Sequence, residues 1–250
     1  MTNFCRAIRA IFRLFRPTTW GPFVEVSEVS GFDHAVTVSW SQGGEDLALL
    51  HAIGGKADGS YLDIGAHHPN RFSVTRHLYQ RGWRGVNVEA NSDLIGAFEK
   101  FRRFDVNIHA AVGEELTYFF TVFEETAIST VNSIWRERFE GENQKIKRIE
   151  TIPGTKLRKI YDSHWPASAV DLLCIDAEGS DLQVLQSLEF HTLDKSRFPH
   201  LILVEAEPPV SNALKTDVVA FAISWGYEPL FVLPMSTLLR NTENITEGPF

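Results

Sequence analysis

From residue 60 onward, short apolar runs alternate with amphipathic stretches. Tyr61–Ile64, Gly85–Val88, Asp105–Val112, Val170–Ile175, Leu201–Val204 and Pro229–Leu233 read as strands. Val170–Ile175 is the most continuously apolar of them and is expected to be covered on both faces. Helical patterns separate the strands. Ser73–Arg81 predicts a helix stopped by Gly82. Ser92 precedes Leu94, Ala97, Phe98 and Phe101, one face of a helix with Ser92 as its cap. Leu157–Tyr161 starts another, and Ser180-Asp181-Leu182-Gln183 has the form of a capping box opening a helix with Leu182, Leu185 and Leu188 inward. Leu214, Val218, Phe221, Ala222 and Trp225 form a stripe ended by Gly226. Strand–helix alternation predicts an α/β fold, a doubly wound and mostly parallel sheet with both faces covered.

The flanks break this rhythm. In residues 20–40 the runs Phe23–Val26 and Ala35–Val38 alternate apolar and polar positions, predicting a small β element. Ser41-Gln42-Gly43-Gly44-Glu45-Asp46 leads into a helical run, Leu47–Ile53, closed by Gly54-Gly55. Leu116–Phe123 is a β-type run. Residues 124–150 are rich in charge, carry few core-like positions and read as an insertion or lid. The chain therefore divides into an N-terminal helix (1–17), a β element and helix leading into the fold (18–56), a ligand-binding domain (57–236) with a lid at 124–150, and a polar tail (237–250).

Composition narrows the options. The 250 residues are 44% hydrophobic, enough for one large core. A net charge of −8 opposes nucleic acid as the main partner. Cys5 and Cys174 do not form a disulfide framework, so a reducing, cytoplasmic setting is expected. No apolar run reaches the roughly 18 residues of a membrane span. The N-terminus differs from the rest: Arg6, Arg9, Arg13 and Arg16 accompany Phe4, Ile8, Ile11, Phe12 and Phe15 on one helical face, with Pro17 as the stop. Two readings stay open, a helix packing on the body or on a second subunit of a homo-oligomer, and a surface-lying helix drawn to anionic lipid.

In doubly wound sheets, ligands bind beyond the carboxyl ends of the strands. Those exits are Asp63-Ile64-Gly65, Glu89, His109-Ala110, Asp176-Ala177-Glu178 and Glu205. Gly65 permits a tight turn and a close backbone approach. Glu89 lies 24 positions after Gly65, near the spacing of the acid that binds ribose hydroxyls in dinucleotide folds. The Gly-x-Gly-x-x-Gly pattern is absent, with His67 and Asn70 where glycines would stand. The loop therefore suits a nucleoside ligand without phosphates, of which S-adenosylmethionine is one.

Leu62-Asp63-Ile64-Gly65-Ala66, Glu89-Ala90-Asn91 and Ile175-Asp176-Ala177-Glu178-Gly179 resemble the FkbM-type S-adenosylmethionine-dependent methyltransferases. Ser41–Asp46, His68-Pro69 and Arg81-Gly82-Trp83-Arg84-Gly85 look like one branch of that family, and the resemblance covers roughly residues 39–235. It implies a class I, Rossmann-like methyltransferase fold whose last strand is antiparallel, and O-methylation of a sugar, glycan or natural-product hydroxyl. The family's loop reads Asp-x-Gly-Ala-Asn-x-Gly; here His67 takes the asparagine position and Pro69 that of the second glycine. Within residues 113–168 only Ser129-Thr130 matches.

By position, Asp63 and Gly65 are expected to hold the methionine end of the cofactor, Glu89 the ribose hydroxyls, and Ala110 and its neighbours the adenine, with Ala66, His67 and Ala90 also expected to bind the cofactor. Asp176 is expected beside the methyl group and is the first candidate for general base, followed by Glu178 and His67. A divalent ion on Asp176, Glu178 or Glu205 is an option without a dedicated ligand spacing to favour it. Trp135 is a candidate to stack on a sugar or to pack in the core. Alternatives are an NAD-dependent sugar-modifying oxidoreductase, which the missing glycines oppose, and a non-catalytic binding protein, which the His67/Pro69 loop leaves open.

Overall fold

A computed structural model of the protein describes residues 38–205 and 210–243. The expected helix of residues 1–17 and the β element of residues 18–37 lie outside the described residues. Ten strands form two sheets. The large one contains β1 (Ser60–Ile64), β2 (Arg84–Glu89), β3 (Val106–His109), β7 (Leu172–Ile175), β8 (Leu201–Glu205), β9 (Tyr227–Val232) and β10 (Ser236–Asn241), in the order β3-β2-β1-β7-β8-β10-β9. Neighbours from β3 to β8 pair in parallel, while β10 runs antiparallel to both β8 and β9. The order reverses between β1 and β7, which places a ligand crevice at their carboxyl ends.

Period-two alternation along these strands splits the core into two layers. Leu62, Ile64, Leu173, Ile175, Ile202 and Val204 face helices α5 (Leu157–His164), α6 (Asp181–Gln186) and α7 (Asp217–Ser224). Tyr61, Leu172, Cys174, Leu203 and Leu238 face α1 (Glu45–Ala52) and α2 (Arg76–Gln80) with Trp83. Cys174 is a free, buried thiol. The small sheet, β4-β6-β5, comprises β4 (Ala111–Val112), β5 (Thr117–Phe123) and β6 (Ile146–Thr155), with α4 (Ser133–Gly141) between the last two. The expected third strand, Asp105–Val112, breaks at Ala110, where the chain leaves the large sheet for the small one.

Five expectations need correction. The polar tail at 237–250 instead begins as β10, the antiparallel last strand, with Thr237, Leu238, Leu239 and Asn241 all buried. Pro229–Leu233 is the penultimate strand. The helix expected from Ser73 starts at Arg76 because Ser73 and Thr75 turn their hydroxyls to Arg102 and Asp63. Asn91, not Ser92, caps α3 (Ser92–Phe101) by accepting from the Asp93 N–H at 3.0 Å, and Ser180 makes no side-chain cap on α6.

The loop after β1 is tied down from below. Arg102, 1% exposed, donates to the Tyr61 hydroxyl (3.0 Å), the Pro69 carbonyl (3.1 Å) and Ser73 Oγ (2.9 Å). Tyr61 donates in turn to Asp105, whose carboxylate also accepts from Gly85 N and Asn87 Nδ2. One guanidinium thus joins the end of α3, the β1 strand and the Pro69–Ser73 turn. Arg102→Ala leaves these acceptors and Asp105 buried without their cation, and urea unfolding should show a loss on the order of 3–5 kcal/mol.

Candidate active site

A cavity opens at the carboxyl ends of β1, β2, β7 and β8. Its floor is the point where the exits of β1 and β7 meet. Asp176 N donates to the Ile64 carbonyl at 3.0 Å, and Gly65 and Ala66 N donate to Val88 O at 2.9 and 3.1 Å. Gly65 has φ 74°, and a Cβ there would lie 1.8 Å from the Asp176 carbonyl oxygen. No other residue fits this crossing.

The residues expected to hold the cofactor or to act as base line this cavity: Asp63, Gly65, Ala66, His67, Glu89, Ala90, Ala110, Asp176 and Glu178; His109, at the exit of β3, does not. Asp63 accepts from Thr75 Oγ1 at 2.7 Å, and burial pushes its carboxyl up to about 6. Glu89, 6% exposed, accepts from His67 N (2.7 Å) and Asn91 N (2.6 Å), one on each oxygen. It therefore fixes the loop of β1 against the end of β2. Burial pushes its carboxyl up to about 7, against the opposing effect of those two N–H groups.

His67 departs from ordinary backbone geometry, with φ 51°. Its Nε2 lies 3.0 Å from Thr126 Oγ1, and its Nδ1 is buried without a hydrogen-bond partner in the structure. Burial first, then the positive charge of Arg71, lowers it to about 4, so the ring is neutral at physiological pH. His68 serves the turn instead. Its Nδ1 accepts from Asn70 N and Arg71 N at 3.1 and 3.0 Å, bracing the chain there.

Asp176, Glu178 and Glu205 bring one carboxylate oxygen each to within 4.8 Å of one another. Like charges at that separation repel by about 3 kcal/mol at an effective dielectric near 20. Burial in the cavity wall, then Asp63 and Glu45, raise the Asp176 carboxyl. Behind it, Asp181 is raised by burial and by Asp176. Hard oxygen ligands of this kind suit a divalent cation as well as proton transfer. Glu45, Asp63, Glu89, Asp176, Glu178 and Glu205 make six acids in the lining, which among the described residues contains no Lys or Arg. The far wall comes from the charged stretch at 124–150, where Thr126, Ala127, Ser129, Thr130 and Val131 face the cavity. Trp135 does not line it; the indole lies across Gly179, so neither sugar stacking nor the central core describes its place.

A family model for the methyltransferase FkbM domain matches residues 63–229, the span that carries most of the cavity lining. The chain belongs to the FkbM methyltransferase family. Its fold is the class I methyltransferase fold, with β10 as the antiparallel strand. No curated protein matches the chain. Among solved structures, an FkbM methyltransferase from Methylobacillus flagellatus is similar over 80% of this chain and 48% of its own, at 12% identity and TM-score 0.46. This chain thus spans about half of that protein's length. A TehB-like SAM-dependent methyltransferase from Corynebacterium glutamicum is similar over 87% of this chain and 96% of its own (10% identity, TM-score 0.40). A precorrin-6y C5,15-methyltransferase from Geobacter metallireducens gives 86% and 96% (14% identity, TM-score 0.41).

Sequence reasoning missed three contributors to this FkbM cavity. Gln42 and Glu45 reach it from the lead-in to α1, and Met235 and Ser236 from the start of β10. The Gly-rich lead-in was a visible signal for the first pair. Arg71 was the other omission: its guanidinium pairs with both oxygens of Glu125 at 2.9–3.0 Å, joining the cofactor-side loop to the inserted segment.

The raised Glu89 has a consequence for stability. Its ordinary value is 4.5 and its folded value about 7. The folded chain therefore holds the proton more tightly than the unfolded one, and the contribution is greatest below about pH 4.5 and is lost as pH rises to about 7. Thermal melts from about pH 5 to about pH 8 should show Glu89→Gln losing less stability with rising pH than the unaltered chain, by about 2 kcal/mol.

Proposed function

We propose that this FkbM methyltransferase uses S-adenosylmethionine to methylate a hydroxyl of an uncharged acceptor, a sugar, glycan or related natural product. The observation that carries this reading is the cavity lining, with six carboxylates and no Lys or Arg. Such a wall favours a cationic cofactor and repels phosphate, which opposes NAD and a phosphorylated acceptor. Carboxylates also accept hydrogen bonds from sugar hydroxyls. S-adenosylmethionine supplies a methyl group on a positively charged sulfur.

Asp63, Gly65, Ala66 and His67 hold the methionine end in this reading. Glu89 keeps a second lone pair on each oxygen for the ribose hydroxyls, in addition to its two N–H partners. Ala90 and Ala110, small and beside the end of β2, leave room for the flat adenine. Asp176 accepts the acceptor's proton as the C–O bond forms and the C–S pair returns to sulfur; its carboxyl, raised by the protein packed around it and by Asp63 and Glu45, makes it a stronger base than an ordinary aspartate although it stays open to solvent. Glu178 and Glu205 orient the acceptor, and are the ligands that would join Asp176 around a divalent ion. Neutral His67 is the reserve proton acceptor.

No helix among the described residues is long and apolar enough to cross a membrane. The basic, amphipathic residues 1–17 give the chain a means of peripheral contact with anionic lipid, which fits a lipid-carried glycan acceptor in the cytoplasm. Removal of residues 1–17 should reduce co-sedimentation with anionic liposomes; unchanged recovery would leave that segment to protein packing.

Calorimetry should detect S-adenosylhomocysteine binding and no NAD binding, and the reverse result would overturn the cofactor assignment. With a working acceptor, Asp176→Asn should lower kcat about 100-fold or more while S-adenosylhomocysteine affinity stays within a few-fold. Near-normal turnover would remove Asp176 as the base.

A further inference from the structure

The turn after β7 carries two of the three clustered carboxylates, and its backbone is gripped from outside the motif. Glu178 has φ 46° and Gly179 φ 87°, consecutive residues in the left-handed region, the first of them with a side chain. Three side chains of the inserted segment hold them there. Thr130 Oγ1 donates to the Glu178 carbonyl at 2.9 Å, and Asn132 Nδ2 donates to the Gly179 carbonyl at 2.7 Å. Trp135 covers Gly179 so closely that a Cβ there would fall 2.1 Å from the indole.

These three are themselves fixed. Thr130 is 2% exposed, and its backbone N–H and C=O both pair with Thr121, at 3.1 and 2.9 Å. Asn132 uses its other amide atom, Oδ1, to cap α4 at Ile134 N and Trp135 N. Trp135 meets Phe139 edge-on at 5.4 Å, and the Arg138 guanidinium lies 4.9 Å from its ring centre. Asn132 and Trp135 stand outside the cavity lining.

We propose that Thr130, Asn132 and Trp135 are positioning residues that set where the Asp176 and Glu178 carboxylates stand. The proposal rests on the S-adenosylmethionine reading. Released from this grip, Glu178 relaxes to negative φ, the 178–179 peptide rotates, and the mutually repelling carboxylates spread apart. The inserted segment thereby does two things at once: Thr126–Val131 forms a cavity wall, and the residues just beyond aim the acids on the opposite side.

The test needs no acceptor. S-adenosylmethionine carries a sulfonium charge that S-adenosylhomocysteine lacks, so the ratio of their affinities reads how close the carboxylates stand to that charge. Asn132→Ser keeps a side-chain cap for α4 and removes the donor to Gly179. Trp135→Ala removes the cover, and Trp135→Phe restores a ring. Calorimetry with both ligands, alongside thermal melts, should show Asn132→Ser and Trp135→Ala binding S-adenosylhomocysteine within about twofold of the unaltered chain. Their preference for S-adenosylmethionine should fall about tenfold, with Trp135→Phe recovering most of it. An unchanged ratio in Asn132→Ser, or equal weakening of both ligands in step with the melting temperature, would overturn the positioning role. Failure of the unaltered chain to bind either ligand would overturn the cofactor reading and this inference with it.

Discussion

The exits of β1 and β7 cross at Gly65, and the site depends on that crossing. The Asp176 carbonyl occupies the space where a side chain at residue 65 would be, and the Asp176 N–H is spent on Ile64. The two strands that contribute the Gly65–His67 loop and the Asp176 and Glu178 carboxylates to the cavity are therefore held at backbone contact. Arg102 below and Glu89 beside then fix the remaining freedom of the loop, the first through Pro69 and Ser73, the second through the His67 N–H. Each tie uses a buried charge matched by several hydrogen bonds, which is costly to break and geometrically specific.

Charge is the second constraint. Most of a protein's acids face water, yet here Asp63, Glu89 and Asp181 are buried around a cavity free of Lys and Arg. Burial raises their carboxyls, against the hydrogen bonds they accept. Anything that binds the folded site and not the unfolded chain stabilises the fold, so occupancy and stability are linked here. The positive-φ backbone at His67 and Glu178 adds to the same pattern, since both residues sit where the ligand would be.

Much of this was legible in the sequence because the signals were local. Strand–helix alternation gave the sheet, and the residues immediately after each apolar run proved to line the cavity. Failures came where distant residues decide. Ser236–Asn241 reads as polar tail because Ser236, Thr237, Arg240 and Asn241 interrupt its two leucines, yet the strand is buried between β8 and β9. Ser73 and Thr75 look like helix starters until Arg102 and Asp63 claim their hydroxyls. Residues 124–150 look like a solvated lid because they are rich in charge and carry few core-like positions; their ties to the turn after β7 come from Thr130, Asn132 and Trp135, more than forty residues away from it in the chain.

The placement of β10 bears on the order of events during synthesis. Among the described residues, β9 pairs only with β10, and the outer edge of β8 is also satisfied only by β10. A chain emerging from the ribosome can assemble β3 through β8 and dock α7, but until Asn241 is free it carries two open strand edges facing each other across a gap. Open edges are templates for pairing with other chains. Completion of the last strand is therefore the step that converts a sticky intermediate into a closed sheet, and it also delivers Met235 and Ser236 to the cavity wall. Nascent chains stalled before that point would be expected to need a chaperone even though most of the domain, and nearly all of its site, is already made.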